Sequence, residues 1–211
     1  MDRARPPAGI DVSGALTIVP ANEASWEDLL AIFGNRGYPA YCQCQRFKFK
    51  NWAEQKATPV VMRMERLETQ THCGYPSAPT TSGLIAYLDG EPVGWCAVEP
   101  RTAYQRLPPA RTALKQRGEE RDDDSVWAVT CFVTRAGFRR RGVTRGLARA
   151  TVAFARERGA RALEAYPMIT EPGVEITWGE THVGTRGVFA EAGFTEVFHA
   201  TLRRVVMRID F

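Results

Sequence analysis

Near the middle of the chain Arg139, Arg140 and Arg141 stand directly before Gly142, Val143, Thr144 and Arg145. Guanidinium groups donate paired hydrogen bonds to phosphate oxygens, and a glycine lets the backbone approach an anion closely. If a helix begins at this point, its first N–H groups lack partners within the helix, and its macrodipole is positive there. Phosphate or pyrophosphate is the guest that such a site suits. The chain contains neither GxxxxGK[ST] nor GxGxxG, which weighs against a P-loop nucleotide hydrolase and a dinucleotide site.

The flanking residues provide elements that position the basic turn. Residues 126–133 are a β-branched and aromatic run that reads as a buried strand. After the turn, Val143, Leu147, Ala150 and Phe154 recur in steps of four, three and four, one face of a helix. Gly159 is a helix stop, and residues 162–166 read as a second strand ended by Pro167. Strand, turn, helix and strand together predict a parallel βαβ unit.

This stretch resembles the GNAT superfamily of acyl-CoA-dependent N-acyltransferases, whose pyrophosphate loop reads Gln/Arg-x-x-Gly-x-Gly/Ala between a strand and a helix. Arg139, Gly142 and Thr144 occupy those positions, and Thr144 departs from the usual small residue. The resemblance extends to VGWCAVEPR at 93–101, similar to the family's third strand. Gly193 and Phe194 close a helix-like stretch at 184–192. It covers roughly residues 81–211.

The resemblance implies an α/β (α+β) fold: a mixed, mostly antiparallel central sheet flanked by helices, with a central βαβ unit. It implies an acetyltransferase that moves an acetyl group from acetyl-CoA to the amine of a small-molecule acceptor by direct attack in a ternary complex. Backbone near Cys131, Phe132 and Val133 would hold the pantetheine arm, and one N–H there would polarise the thioester carbonyl. The amides and side chains of Arg139, Arg140, Arg141, Gly142, Val143, Thr144 and Arg145 would cradle the pyrophosphate. A primary amine with a pKa near 10 is only ~0.1% neutral at pH 7, so a base is useful. Glu99, at the end of the strand beside the central one, is the first candidate. Glu164, in mid-strand, is the second, and His72 and His182 are weaker. Many family members carry Tyr four residues before the Gly-Phe pair, where this chain has Phe189, which cannot donate a proton. Tyr166 is the substitute donor. A thiol with a pKa near 8.5 can also leave as thiolate. Cys131 has no paired base evident from spacing and reads as a buried strand cysteine rather than a nucleophile. The region between the family's first two strands builds the acceptor side, which nominates Tyr38, Tyr41, Phe47, Phe49 and Trp52.

The 211 residues, 44% hydrophobic and 25% charged, fit one globular domain at 15–211 after a flexible lead-in at 1–14. No apolar run is long enough to span a bilayer and no signal-peptide apolar core follows the N-terminus, so the reading is cytoplasmic with no membrane partner. Five cysteines, an odd number, read as reduced thiols. Cys42, Cys44, His72 and Cys73 are zinc-type ligands at spacings unlike the usual zinc patterns, so no metal is expected. The net charge of +4 suits an anionic co-substrate, and Arg203, Arg204 and Arg208 form no nucleic-acid motif with the central arginines. A homodimer is left open.

Outside the central unit, strands are expected at 15–19, 81–88, 92–99, 195–198 and 200–209, with a hairpin turn at Asp89-Gly90. Ser25 is the N-cap of a helix with Trp26, Leu29, Leu30 and Phe33 on its apolar face and Gly34 as its stop; a second helical stretch is 59–69. Residues 100–124, basic and then acidic, read as a solvated surface loop. Two rival functions stay open: a non-catalytic acyl-CoA-binding module, for which Phe189 speaks, and a protein or peptide N-acetyltransferase.

Overall fold

A computed structural model describes residues 10–13, 16–107, 114, 117–170 and 177–211. Its strands are β1 (Ile10–Ser13), β2 (Leu16–Pro20), β3 (Leu84–Leu88), β4 (Glu91–Pro100), β5 (Val126–Thr134), β6 (Ala162–Ala165), β7 (Thr195–Thr201) and β8 (Arg204–Asp210). Its helices are α1 (Trp26–Phe33), α2 (Gly37–Cys42), α3 (Trp52–Ala57), α4 (Val60–Thr71), α5 (Val143–Glu157), α6 (Trp178–Thr181) and α7 (Arg186–Glu191). The strands form one sheet in the order β1-β2-β3-β4-β5-β6-β8-β7. Only β5 and β6 run parallel; every other neighbouring pair is antiparallel. None of the described helices is long and apolar enough to cross a membrane.

Local chemistry sets the boundaries. Ser25 Oγ accepts the Asp28 N–H at 3.0 Å and caps α1, which ends on Gly34 at φ +65°. The β3–β4 hairpin turns on Asp89 and Gly90, at φ +52° and +80°, the paired left-handed geometry whose twist matches the strands. Helix α5 buries Val143, Leu147, Ala150 and Phe154 against the sheet, as the four-three-four spacing requires. It approaches so closely because β4 carries Gly94: a Cβ there would press on Val143 Cγ1 and Leu147 Cδ1.

The two faces of the sheet have separate cores. Leu16, Ile18, Val98, Val129, Phe132, Phe154 and Phe189 pack on the α5 face. Val19, Leu29, Phe33, Ile85, Trp95, Cys131 and Val133 pack on the α1 face, beside Phe47, Tyr104, Ala128, Tyr166 and Val206. Strand β5 changes phase between them. Ala97 pairs with Cys131 but Val98 with Val129, leaving Thr130 as an extra residue, a β-bulge. Before the bulge Trp127 and Val129 belong to the α5 core; after it Phe132 does, while Cys131 and Val133 join the α1 core. The parallel ladder to β6 also stops at Val129–Ala165. Beyond it β5 runs on through Thr134 without β6, so the sheet opens where the bulge lies.

Two expectations are corrected. Ile10–Ser13, within the supposed flexible lead-in at 1–14, pairs with β2 as an edge strand; the rest of that stretch lies outside the described residues apart from this strand. The stretch 100–124 is not solvated throughout, although Glu120, Arg121, Asp122 and Asp124 are exposed. Arg101, Tyr104, Leu107 and Leu114 are buried against the sheet. The reason is Glu164, a carboxylate inside the fold that needs counter-charges, which Arg101 and Arg117 of this stretch supply.

Candidate functional site

Gly142 is the N-cap of α5, at φ +81°, and Arg140 just before it stands at φ +61°. A left-handed Gly142 turns the chain so that the first α5 amides face outward from the end of β5. Arg139, Arg140 and Arg141 are exposed around that end. Thr134 Oγ1 lies 3.4 Å from Thr144 Oγ1, joining the last residue of β5 to the first turn of α5. Thr144, the departure from the family pattern, is thus a tie between strand and helix.

These residues open on a cleft of about 320 Å³. Arg139, Arg140, Gly142, Val143, Thr144 and Arg145 form one wall, with Phe132 and Thr134 of β5 at the floor. Thr181, His182, Gly184, Thr185 and Val188 form the other wall. Arg145 is held by Glu191 of α7 at 2.9 Å. Arg141 is not in the wall; its guanidinium sits 5.5 Å from the Phe138 ring centre. The cleft lies where β5 and β6 part, so its charge, shape and position fit a phosphate-bearing chain laid along the end of β5.

The second wall has no local signature in the sequence, where His182 reads as a weak candidate base and Gly184 as the start of a helix-like stretch. Gly184 stands at φ +83°, and a Cβ there would strike the Phe189 and Phe132 rings, so only glycine lets the chain pass. The ring of His182 stacks on Phe47 at 5.9 Å between centroids, and burial, aided by the charge of Arg46, lowers its pKa to about 4. The imidazole is therefore neutral at pH 7. The His182 carbonyl accepts the Phe132 N–H at 2.6 Å. That N–H is one of the groups expected to hold the pantetheine arm, and here the chain's own backbone takes it.

On the α1 side lies a second chamber of about 620 Å³, between the α1–α2 turn and the end of β5. It shares Thr134 and Arg139 with the cleft. Between the two, Cys42, Cys44, Cys131, Val133, Phe47 and His182 surround a small apolar gap. Cys131 and Val133 thus face this gap and not the cleft, because the bulge turned them over. Contact with Cys44 and burial push the Cys131 thiol well above its usual range, so it is no nucleophile. All five cysteines are free and buried. Among the described residues no group of three or more His, Cys, Asp or Glu could hold a metal ion.

Of the nominated aromatic residues, Tyr38 and Phe47 line these spaces. Phe49 is core. Tyr41 and Trp52 lie outside: Tyr41 stacks under Arg63 at 4.2 Å and Trp52 under Arg106 at 3.9 Å.

Of the nominated catalytic residues His182 lies in the cleft wall, whereas Glu99, Glu164 and Tyr166 line neither the cleft nor the chamber. Glu99, Ala128 and Glu164 sit in register across β4, β5 and β6, so both carboxylates point to the α1 face. Glu99 is closed off by an ion pair with Lys48 and a 2.6 Å hydrogen bond from Ser82 Oγ. Glu164 is only 1% exposed. It accepts from Arg117 at 2.5 Å, Arg208 at 2.8 Å and Arg101 at 3.3 Å, and from Tyr166 at 2.6 Å. Burial and that neighbouring charge push the Tyr166 hydroxyl well above its ordinary range. Glu164 and Tyr166, the expected second base and substitute acid, therefore sit in a buried ionic cluster, with their lone pairs and protons bonded within the fold. Phe189 is also structural, packed at 5.0 Å from Phe194 and 5.8 Å from Phe132.

The model of the acetyltransferase (GNAT) family matches residues 36–172. Comparison with curated proteins returned no match. Among solved structures, a GCN5-related N-acetyltransferase from Kribbella flavida aligns with 18% identity and a TM-score of 0.52, covering 93% of this chain and 98% of its own. The putative acetyltransferase yncA from Salmonella typhimurium, solved with its cofactor acetyl-CoA, aligns at 15% identity and 0.51, covering 93% and 94%. The aminoglycoside acetyltransferase AAC(6')-Ib, solved in complex with coenzyme A, aligns at 15% and 0.50, covering 93% and 95%. At these identities the structures show a shared fold, while the family match spans most of the chain and includes β3, β4, β5, the basic turn, α5 and β6. The chain belongs to the GNAT acetyltransferase family.

Proposed function

We propose that this protein transfers an acetyl group from acetyl-CoA to the amine of a small-molecule acceptor, by direct attack with both substrates bound together. The observation that carries the reading is the basic turn at the N-terminus of α5, opening on a cleft along the unpaired end of β5. Arg139, Arg140 and the first amides of α5 would take the pyrophosphate. The pantetheine arm would lie toward Phe132 and Thr134, and the thioester would end near the gap where cleft and chamber meet.

In the transfer, the amine nitrogen bonds to the acetyl carbon, the carbon–sulfur bond breaks, and the thiolate leaves with that electron pair. With a pKa near 8.5, the thiolate departs without a dedicated donor, so Phe189 does not prevent turnover. The amine must lose a proton. Among the described residues no Asp or Glu lines the cleft, the chamber or the gap between them. The arginines there disfavour a bound ammonium and lower its pKa, which raises the neutral fraction before attack. Water in the open chamber takes that proton, and the second N–H proton, shed once the carbon–nitrogen bond has formed, passes to water or to the departing thiolate.

Calorimetry of acetyl-CoA binding tests the reading. Wild-type protein should bind, and Gly142→Glu should lose at least ten-fold in affinity, because the new carboxylate opposes the pyrophosphate and strains a left-handed position. Thiol release over a panel of amines then tests transfer. Absence of wild-type binding at millimolar acetyl-CoA would overturn the proposal. Binding with no thiol release on any amine would favour the non-catalytic module.

A further inference from the structure

The chamber on the α1 side has a charge pattern that its neighbour's pyrophosphate chemistry does not require. Arg36 of the α1–α2 turn, Arg135 and Arg139 stand around it, with the apolar side chains of Ile32, Phe33 and Val133 beside them. Among the described residues, no carboxylate lines it. Glu91 reaches Arg135 at 3.3 Å and offsets that one charge. Arg36 and Arg139 form no ion pair among the described residues, so the chamber keeps an excess of positive charge. Arg46 adds a further guanidinium at the gap that leads to it.

We propose that the acceptor is a small amine that also bears an anionic group, a carboxylate or phosphate, held by Arg36 across the chamber from the cofactor cleft, with Arg139 adding positive charge at the border between them. This rests on the transferase reading. Guanidiniums grip such oxygens in paired, charge-assisted hydrogen bonds, whereas they repel a polycation. The same charge that anchors the anionic end disfavours protonation of the amine at the other end, so one set of arginines orients the acceptor and readies its nucleophile. A polyamine or aminoglycoside, with several ammonium groups and no anion, gains no such anchor and is repelled by the same arginines. The volume of about 620 Å³ admits a molecule of amino-acid to small-peptide size with water around it.

The experiment compares kcat/KM by thiol release, at saturating acetyl-CoA, for amino acids and aminoalkyl phosphates against diamines of matched length and an aminoglycoside. The wild type should prefer the anionic amines by at least ten-fold. Arg36→Glu, a change at an exposed turn outside the core, should raise their KM at least ten-fold while the Kd for acetyl-CoA stays unchanged. A preference for diamines or aminoglycosides, or an Arg36→Glu profile like wild type, would overturn the inference and leave the transferase reading standing. Loss of acetyl-CoA affinity in Arg36→Glu would assign the chamber to the cofactor and overturn it too. If the wild type binds no acetyl-CoA by calorimetry, both readings fall together; if it binds but releases no thiol with any amine, the inference falls and cofactor binding stands.

Discussion

Replacing Glu164 by Gln separates structure from chemistry at the carboxylate that looked most like a buried base. The variant keeps the shape and removes the charge. Three guanidiniums, from Arg101, Arg117 and Arg208, then lose their shared counter-ion, two of them buried. Removing one partner of a buried ion pair costs about 3–5 kcal/mol. Glu119 moderates this, since it also reaches Arg208 at 2.9 Å and Arg101 and Arg117 at 3.4 Å. The lower end, about 3 kcal/mol, is therefore expected, which for a domain of this size lowers Tm by about 6–12 °C. Urea unfolding should show a lower midpoint with an unchanged slope, since the native surface is preserved. Acetyl-CoA affinity of the folded variant should match wild type, because Glu164 is not in the cleft wall. Stability within about 0.5 kcal/mol of wild type, together with a hundred-fold loss of kcat, would refute this reasoning and return Glu164 to the chemistry.

The buried His182 makes stability depend on pH. Its folded pKa of about 4 lies below the unfolded value near 6.5, so between those values the unfolded chain binds a proton that the folded one refuses. Its contribution is therefore intact above pH 6.5 and is lost as pH falls toward 4, by up to about 3 kcal/mol. Urea midpoints at pH 7.5 and 4.5 should show a smaller acid loss in His182→Gln than in wild type; equal losses would count against it. Phe189→Ala, which empties a fully buried ring site between Phe132 and Phe194, should cost about 3–5 kcal/mol by urea unfolding, and a cost under 1 would mean that the three rings do not form one packed unit.

The βαβ unit was legible because its signals are local. The spacing Val143, Leu147, Ala150, Phe154 encodes one helix face, and Arg139 to Gly142 encodes an anion-binding helix start, whatever the rest of the chain does. Ser25, Gly34 and the Asp89-Gly90 turn were legible for the same reason. The Glu164 cluster was not. Its arginines come from positions 101, 117 and 208, joined only once β4, β6 and β8 are in register, so no window of sequence contains the pair that neutralises it. Seen alone, a mid-strand glutamate invites a catalytic role, and an arginine-bearing connector looks solvated.

The bulge at Thr130 shows why the site itself resisted reading. VWAVTCFVT is apolar on both faces, so its alternation carries no phase, and the one residue that shifts the phase leaves no mark. That shift decides which side chains meet which chamber. Without it Phe132 would point toward α1, and Cys131 and Val133 toward α5; with it Phe132 floors the cleft beside the basic turn, while Cys131 and Val133 face the gap on the α1 side. The same irregularity ends the ladder to β6 and opens the slot between them. His182 then fills part of that slot through its bond to the Phe132 N–H. On the proposed reading, a pantetheine arm pairing there would displace that 2.6 Å hydrogen bond, which would couple cofactor binding to the position of 181–184, the wall that leads toward the apolar gap.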